Sequence, residues 1–287
     1  MVIAVLMVIA GLSLLLYPTV SDYLNDLSHR QTISDYTAKV EPLEDERYEE
    51  LLAAARAYNE RLAEKGGFKL SLSEEELAEY NSLLDIDRIG LMGYVSVSKV
   101  DISLPIYHGT SDDVLQSGVG HLEGSSLPVG GPGTHAVLSG HTGLPSAKLF
   151  TNIDQLVVGD TFTVRILKET LTYEVDQVLV VLPSEMDALR IQPGADYCTL
   201  MTCTPYGINS HRLLVRGRRV PTPVQEDETP PDIAEEDPDD SLLLGLALVL
   251  IVAVLIAAAL LTALLRWKRA KRRKEENENP SQDPPES

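Results

Sequence analysis

The chain has 287 residues, enough for one domain of ordinary size with appendages or for two small domains. Its formal net charge is −19, and the basic residues gather near the C-terminus instead of forming a basic face on a folded domain. This distribution excludes a typical nucleic-acid-binding protein, which requires such a face.

An apolar run opens the chain and covers residues 2–16. It is short for a membrane-spanning helix, which needs about 20 apolar residues. It also lacks the basic start and the small-residue cleavage site of a signal peptide. Two interpretations of residues 1–20 therefore stay open: an uncleaved membrane anchor or a signal segment.

Residues 21–92 are predicted to form a helical region. Apolar side chains recur at helical spacing over residues 43–65, and the glycine pair that follows ends this helix. Ser73 and Glu76 are spaced as a capping box, which predicts the start of a second, shorter helix.

From residue 93 onward, alternating and β-branched stretches predict strands. They comprise residues 94–97, 102–107, 134–140, 162–167, 171–182, 196–203 and 212–216. A region rich in Gly, Ser and Pro, predicted to be mostly loop, covers residues 108–133. Because helices come first and strands later, we expect a mainly β fold: an antiparallel sheet or barrel over residues 93–221 with an N-terminal helical cap.

Three segments of distinct composition follow the strands. Residues 222–241 are mostly acidic residues and prolines and predict an extended stalk. Residues 242–265 form an uncharged apolar run long enough to cross a bilayer. Residues 266–287 begin with a Trp and a basic cluster, so this tail is predicted to be cytoplasmic, with its end disordered, and the β domain extracellular.

Cys203 is the candidate nucleophile. It ends one predicted strand, a turn containing Pro205, Gly207 and Asn209 follows, and Arg212 lies at the start of the next strand. If these strands pair as a hairpin, Cys203 lies close to Arg212. A guanidinium near a thiol favours the thiolate, which is the nucleophilic form.

The other cysteine, Cys198, precedes Cys203 by five residues on the same strand and therefore lies on the opposite face, about 16 Å away. A disulfide requires Cα atoms within about 7 Å. Both thiols are therefore predicted to be free, with Cys198 a buried apolar residue. No spacing of Cys and His indicates a zinc site, and no cofactor is predicted.

Six histidines could serve the thiol. His141 is favoured because it ends a predicted strand and precedes a Gly-Leu-Pro turn, where functional residues are often held by a rigid scaffold. His211 adjoins Arg212 but points to the opposite face of its strand. The remaining histidines lie in polar or turn-rich stretches, where an exposed or backbone-bonded histidine is usual: His29, His108, His121 and His135. The residues alone do not exclude these alternatives.

Four segments, together with the downstream Arg212, resemble the sortases, and within them class C, the pilus-building transpeptidases of Gram-positive bacteria. The segments are residues 104–110 (LPIYHGT), 118–126 (GVGHLEGSS), 138–145 (LSGHTGLP) and 199–203 (TLMTC). The resemblance covers about residues 43–220. It implies a sortase-like closed β-barrel with N-terminal helices, flanked by terminal hydrophobic or transmembrane helices.

The same resemblance implies roles for three residues. Cys203 attacks the threonine carbonyl of an LPxTG-like sorting signal and forms a thioester. His141 protonates the leaving glycine amine and then acts as a base, while Arg212 donates hydrogen bonds to the substrate and the oxyanion. The implied acceptor is a pilin lysine amine or a cell-wall precursor amine.

One departure from the class C pattern concerns the lid over the active site. Class C sortases usually carry an Asp-Pro-aromatic motif there, but the corresponding segment, about residues 61–83, has none. Phe68 is its only Phe or Trp. Phe68 is therefore predicted either to serve a shortened lid or to cover apolar surface beside an open groove. His121 and Glu123 lie in a family-like segment but are predicted to be structural.

Two other function classes share part of this pattern. A cysteine peptidase would use the same Cys203 and His141 but release an acid. A non-catalytic surface anchor protein would explain the apolar runs and the acidic stalk, yet it would have no use for the Cys, His and Arg combination.

Overall fold

The computed structural model describes residues 2–69, 71–144, 147–223, 262–263 and 265–273. The chain divides into two compact units, and the unit Pro18–Glu226 contains all the named strands. The described part of the other unit is helical.

The N-terminal region forms three helices, in agreement with its helical spacing. Their bounds are α1 Val2–Val40, α2 Asp45–Glu64 and α3 Glu74–Ser82. The predicted capping box is present: the Ser73 hydroxyl accepts from the Glu76 N–H, and the Glu76 carboxylate accepts from the Ser73 N–H. Lys69 and Lys65 near this carboxylate, with the Ser73 N–H, lower the pKa of Glu76 to about 2.

Eight strands close into a barrel in the order β1-β2-β3-β4-β7-β8-β6-β5. Their bounds are β1 Leu91–Val97, β2 Ile102–His108, β3 Val119–His121, β4 Thr134–Ser139, β5 Thr161–Ile166, β6 Glu169–Val181, β7 Asp196–Thr204 and β8 His211–Val220. Each alternating stretch of the sequence coincides with a strand, although three of them run one residue past its end, and the mainly β barrel with N-terminal helices is confirmed.

Two features differ from the prediction. The presumed loop region also contains a short helix, α4 Asp112–Ser117, and the strand β3. The pairing is not wholly antiparallel, since β2–β3 and β4–β7 are parallel pairs. Alternation within a strand reports burial on one face, and it carries no information about the direction of the neighbouring strand.

The helices attach to the barrel through buried polar contacts as well as apolar packing. The Tyr36 hydroxyl of α1 donates to the Met92 carbonyl at 2.6 Å, and Asn59 of α2 exchanges two hydrogen bonds with the Leu127 backbone at 2.9 and 2.7 Å. His29 is buried rather than exposed as expected, and desolvation by burial lowers its pKa. These contacts fix α1 and α2 on the barrel.

Within the described residues, no helix is both long and apolar enough to cross a membrane. Most of the predicted stalk (residues 222–241), transmembrane run (residues 242–265) and disordered end of the tail (part of residues 266–287) lies outside the described residues. Those assignments stay predictions.

Candidate active site

The three predicted catalytic residues lie at the same end of three neighbouring strands. β4 and β7 pair in parallel with Ser139 opposite Met201, and β7 and β8 pair antiparallel with Cys203 opposite Arg212. Because β4 ends at Ser139, continuing its register by two residues places His141 beside Cys203. The fold therefore brings His141, Cys203 and Arg212 together on one face of the sheet.

Cys203 lies on the outer face of the barrel wall. On β7, Cys198 and Leu200 are fully buried in the interior, and strand alternation directs Met201 and Cys203 outward. Both thiols are free, as predicted, and Cys203 is half-buried. An apolar cluster covers part of the same outer face: Val137, Leu189, Met201 and Leu214. The Cys203 thiol therefore lies beside an apolar surface.

The main chain that carries His141 is held by β7 on one side and by Phe150 on the other. The Gly140 N–H donates to the Met201 carbonyl at 3.0 Å, and the Thr202 hydroxyl donates to the Gly140 carbonyl at 2.7 Å. A Cβ at position 140 would lie 2.7 Å from the Phe150 ring, so only glycine fits there. The His141 carbonyl accepts from the Phe150 N–H at 3.0 Å, and His141 is partly exposed.

The guanidinium of Arg212 is held by neutral groups. Its Nη1 donates to the carbonyls of Asn209 at 3.3 Å and His211 at 3.2 Å. In the described part of the chain no ion pair engages Arg212, whereas Arg216 on the same strand is bound by both oxygens of Asp176 at 2.9 and 3.0 Å. A guanidinium without a carboxylate partner can stabilise a thiolate or a developing oxyanion.

Asn209 is a contributing residue whose role the sequence did not reveal. The sequence indicates only a turn-forming residue at this position, yet the Asn209 carbonyl accepts a hydrogen bond from Arg212. Asn209 adopts φ 57°, a left-handed conformation that Asn tolerates better than most residues. Its N–H donates to the Pro205 carbonyl at 2.9 Å, which closes the turn between β7 and β8.

Two further histidines are buried in hydrogen-bond networks. His121 contacts the Tyr80 hydroxyl at 2.9 Å, and His135 contacts the Thr199 hydroxyl at 2.7 Å. Desolvation by burial lowers the pKa of each imidazole to about 4, so both are neutral at pH 7. Glu123 is exposed. Across the described residues, no group of His, Cys, Asp or Glu side chains is placed to hold a metal ion.

Phe68 lies in a different place from the three catalytic candidates. It lines a cavity together with residues of α2, of α3 and of their connection, including Tyr58, Leu62 and Leu72. The chain beside it contacts two barrel loops: a Cβ at Gly67 would lie 3.2 Å from Ile191, and the Lys69 N–H donates to the Gly124 carbonyl at 3.0 Å. The lid role of Phe68 stays a prediction.

Comparison with known proteins identifies the family. The family described as sortase domain matches residues 95–220. A crystal structure of sortase C1 from Streptococcus agalactiae is 52% identical, with a TM-score of 0.65, and the match covers 67% of this chain and 99% of that one. The chain belongs to the sortase family. Sortase C from Clostridium perfringens SM101 matches this sortase at 45% identity and TM-score 0.58, covering 67% of this chain and 99% of that chain.

Curated relatives of this sortase are more distant. Sortase D of Bacillus subtilis is 29% identical over 131 residues, which cover 45% of this chain and 63% of that protein. Sortase A of Bacillus anthracis is 28% identical over 151 residues, which cover 53% of this chain and 70% of that protein. The class C structures match over nearly their whole length, which confirms the resemblance to class C and makes this sortase a cysteine transpeptidase.

Proposed function

We propose that this sortase cleaves an LPxTG-like sorting signal between Thr and Gly and transfers the threonyl end to an amine. The observation that carries the proposal is the common face of His141, Cys203 and Arg212 at the open end of β4, β7 and β8. A nucleophile, a proton carrier and an oxyanion donor on one face are the parts that acyl transfer requires.

In the first half-reaction, the Cys203 thiolate attacks the threonine carbonyl carbon and forms a C–S bond. Arg212 donates hydrogen bonds to the oxyanion that develops on the carbonyl oxygen. The His141 imidazolium gives its proton to the glycine nitrogen as the C–N bond breaks, and the glycine segment leaves as an amine. The threonyl end remains on Cys203 as a thioester.

In the second half-reaction, an amine attacks the thioester carbonyl. Neutral His141 accepts a proton from the attacking nitrogen, the C–S bond breaks, and the Cys203 thiolate is released. The product is an amide: an isopeptide bond if the amine belongs to a pilin lysine, or a wall linkage if it belongs to a cell-wall precursor. The proton balance closes, since His141 returns to the imidazolium.

Two class C relatives support the substrate class. A structure of Clostridium perfringens sortase C was determined with the C-terminal cell wall sorting motif. The structure of sortase C from Streptococcus pneumoniae, 40% identical to this chain, is described as informing pilin substrate specificity. By analogy, we propose a pilin or surface-protein sorting signal as the donor and a pilin lysine as the preferred acceptor.

A ligation assay tests this proposal. The full chain is incubated with a peptide containing an LPxTG-like motif, with and without a lysine-containing peptide. The products are identified by mass spectrometry. We expect a thioester adduct on Cys203 and, when amine is added, a ligated product. Release of the free acid alone at all amine concentrations would contradict the proposed transfer step and favour a cysteine peptidase, and absence of cleavage would contradict the proposed sorting-signal substrate.

We further propose that the domain lies outside the cell and is held at the membrane by its terminal apolar runs. The support is the sequence: the uncharged residues 242–265 and the basic cluster that follows them. Protease treatment of intact protoplasts tests this arrangement. We expect the barrel to be digested and an epitope tag fused after residue 287 to be protected inside the protoplast. Digestion of both would contradict the proposed orientation.

A further inference from the structure

The loop that carries His141, of which residues 140–144 and 147–152 are described, leaves the barrel after the β4–β7 ladder ends. The last ladder pair is Ser139 with Met201, and Gly140 makes the final backbone hydrogen bond to β7. Cys203 is still held within β7, opposite Arg212, whereas His141 lies in the loop that follows β4. The strand register therefore makes the two residues neighbours, and the contacts of the loop set the distance between the imidazole and the thiol.

One contact that holds this loop comes from α1. The Lys148 N–H donates to Oδ1 of Asp22 at 2.8 Å, and the Lys148 Nζ lies 3.5 Å from Oδ2 of the same carboxylate. A carboxylate that accepts from a backbone N–H makes a charge-assisted bond, stronger than a neutral one. Asp22 thus ties the far side of the loop to a helix that is itself fixed on the barrel.

A second contact comes from the loop between β7 and β8. A Cβ at Gly143 would lie 2.5 Å from Cε2 and 2.8 Å from Cδ2 of Tyr206, so the ring rests directly against the Gly143 backbone. Gly143 adopts φ 73°, which also favours glycine. Tyr206 is 71% exposed, and apolar burial therefore does not account for its position.

The interior of the loop transmits both contacts to His141. The Phe150 N–H donates to the His141 carbonyl at 3.0 Å, and the Gly143 N–H donates to the Thr151 hydroxyl at 3.1 Å. Phe150 is fully buried, which anchors the returning chain in the core. Gly143 follows His141 by two residues and Lys148 precedes Phe150 by two, so a displacement at either position reaches the main chain of His141 through these hydrogen bonds.

We propose that Asp22 and Tyr206 are positioning residues that clamp the His141 loop from two sides and set the imidazole against the Cys203 thiol. The inference rests on the proposed function, because it gives both residues a purpose in acyl transfer. Tyr206 also joins the His141 loop to the turn that holds Arg212 through Asn209, so one ring connects the surroundings of all three catalytic candidates.

Steady-state cleavage of an LPxTG-like peptide by the full chain tests the clamp. We expect Asp22→Ala and Tyr206→Ala each to lower kcat about tenfold, with KM within about twofold, because misplacing a proton carrier slows the chemistry and leaves binding intact. The double variant should lose less than the product of the single losses, since both residues hold one loop.

Conservative variants separate positioning from general structure. Asp22→Asn keeps an oxygen for the Lys148 N–H, and Tyr206→Phe keeps the ring against Gly143, so both should restore kcat to near the parent value. Matched controls are Asp26→Ala, which removes a carboxylate paired with Arg30 on the same helix, and Ile208→Ala, which removes a side chain of the same turn that is also 71% exposed. Both controls should retain the parent kcat.

Alkylation of Cys203 by iodoacetamide at pH 7 makes the test independent of the peptide reaction, since Cys198 is fully buried. An imidazolium near a thiol raises its reactivity, so the alkylation rate should fall in Asp22→Ala and Tyr206→Ala and recover in the conservative variants. Unchanged kcat and alkylation in both alanine variants would overturn the clamp. If the variants change the alkylation rate as expected but the parent chain cleaves no sorting peptide, the clamp stands and only the proposed function is overturned.

Discussion

A histidine and a cysteine lie near each other at two levels along β4 and β7. The two levels provide opposite environments for a reactive thiol. At one level His135 lies opposite Tyr197, next to Cys198; at the other, His141 follows β4 and lies beside Cys203. His135 and Cys198 are buried on different faces of the wall. Burial raises the pKa of the Cys198 thiol and lowers that of His135 to about 4.

The comparison shows that residue type is not sufficient for nucleophilic catalysis. In the buried pair, desolvation keeps the thiol protonated and the imidazole neutral, and strand alternation separates them. At the open end the same residue types share one face, have access to solvent and lie beside Arg212, which has no carboxylate partner among the described residues. Four predictions test this contrast.

The largest effect is expected at the two cysteines. Cys203→Ala should reduce peptide cleavage and ligation by at least about 10³-fold, because no nucleophile remains. Cys198→Ala should keep the parent rate and lower the free energy of unfolding by about 1 kcal/mol. Product formation by mass spectrometry and urea denaturation provide the measurements. Comparable activity loss in both variants would remove the distinction between the two levels.

Arg212 should produce the next largest effect. Arg212→Ala is expected to lower kcat about 10²-fold, since it removes the proposed oxyanion donor. Arg218→Ala is the matched control, because Arg218 is an exposed arginine on the same face of β8 and far from Cys203. Steady-state kinetics of both variants provide the measurement; equal rates would show that Arg212 has no role in the chemistry.

The buried histidines should appear in the pH dependence of stability. Their pKa values of about 4 lie below the ordinary 6.5, so the unfolded chain binds more protons between these values, and stability is lost as pH falls through this window. From pH 7 to pH 5, His121 and His135 should each lower the free energy of unfolding by about 2 kcal/mol.

Urea denaturation at the two pH values measures this loss. A variant with His121→Gln and His135→Gln has no imidazole at either position, and its unfolding free energy should depend less on pH. An equal pH dependence in parent and variant would mean that other groups cause the loss and that these histidines do not mark a protonation-sensitive core.

The smallest effect is expected at Phe68. If residues 65–69 form a shortened lid, Phe68→Ala should raise the rate of sorting-peptide cleavage about threefold by loosening that segment. Leu72→Ala is the control, since Leu72 lines the same cavity but lies outside the segment. A rate equal to that of the parent would discard the lid and leave Phe68 as a cover for apolar surface.

The sequence by itself determined most of the elements, though not α4 or β3, and it indicated the candidate catalytic residues. Alternation located the strands, helical spacing and the Ser73–Glu76 capping box located α2 and α3, and the TLMTC segment with Arg212 indicated Cys203. The strand and helix signals are local, since each depends on residues within about one element, where side-chain direction follows directly from backbone period. The catalytic roles came from the resemblance to the sortases.

Only the tertiary structure decided how those elements meet. The parallel pairing of β4 with β7 sets His141 beside Cys203, although 61 residues lie between them in the chain, and Asp22 reaches Lys148 across a separation of 126 residues. Such contacts depend on the direction and register of neighbouring strands and on where a helix docks. No local periodicity encodes these quantities, because they are set by packing between distant segments.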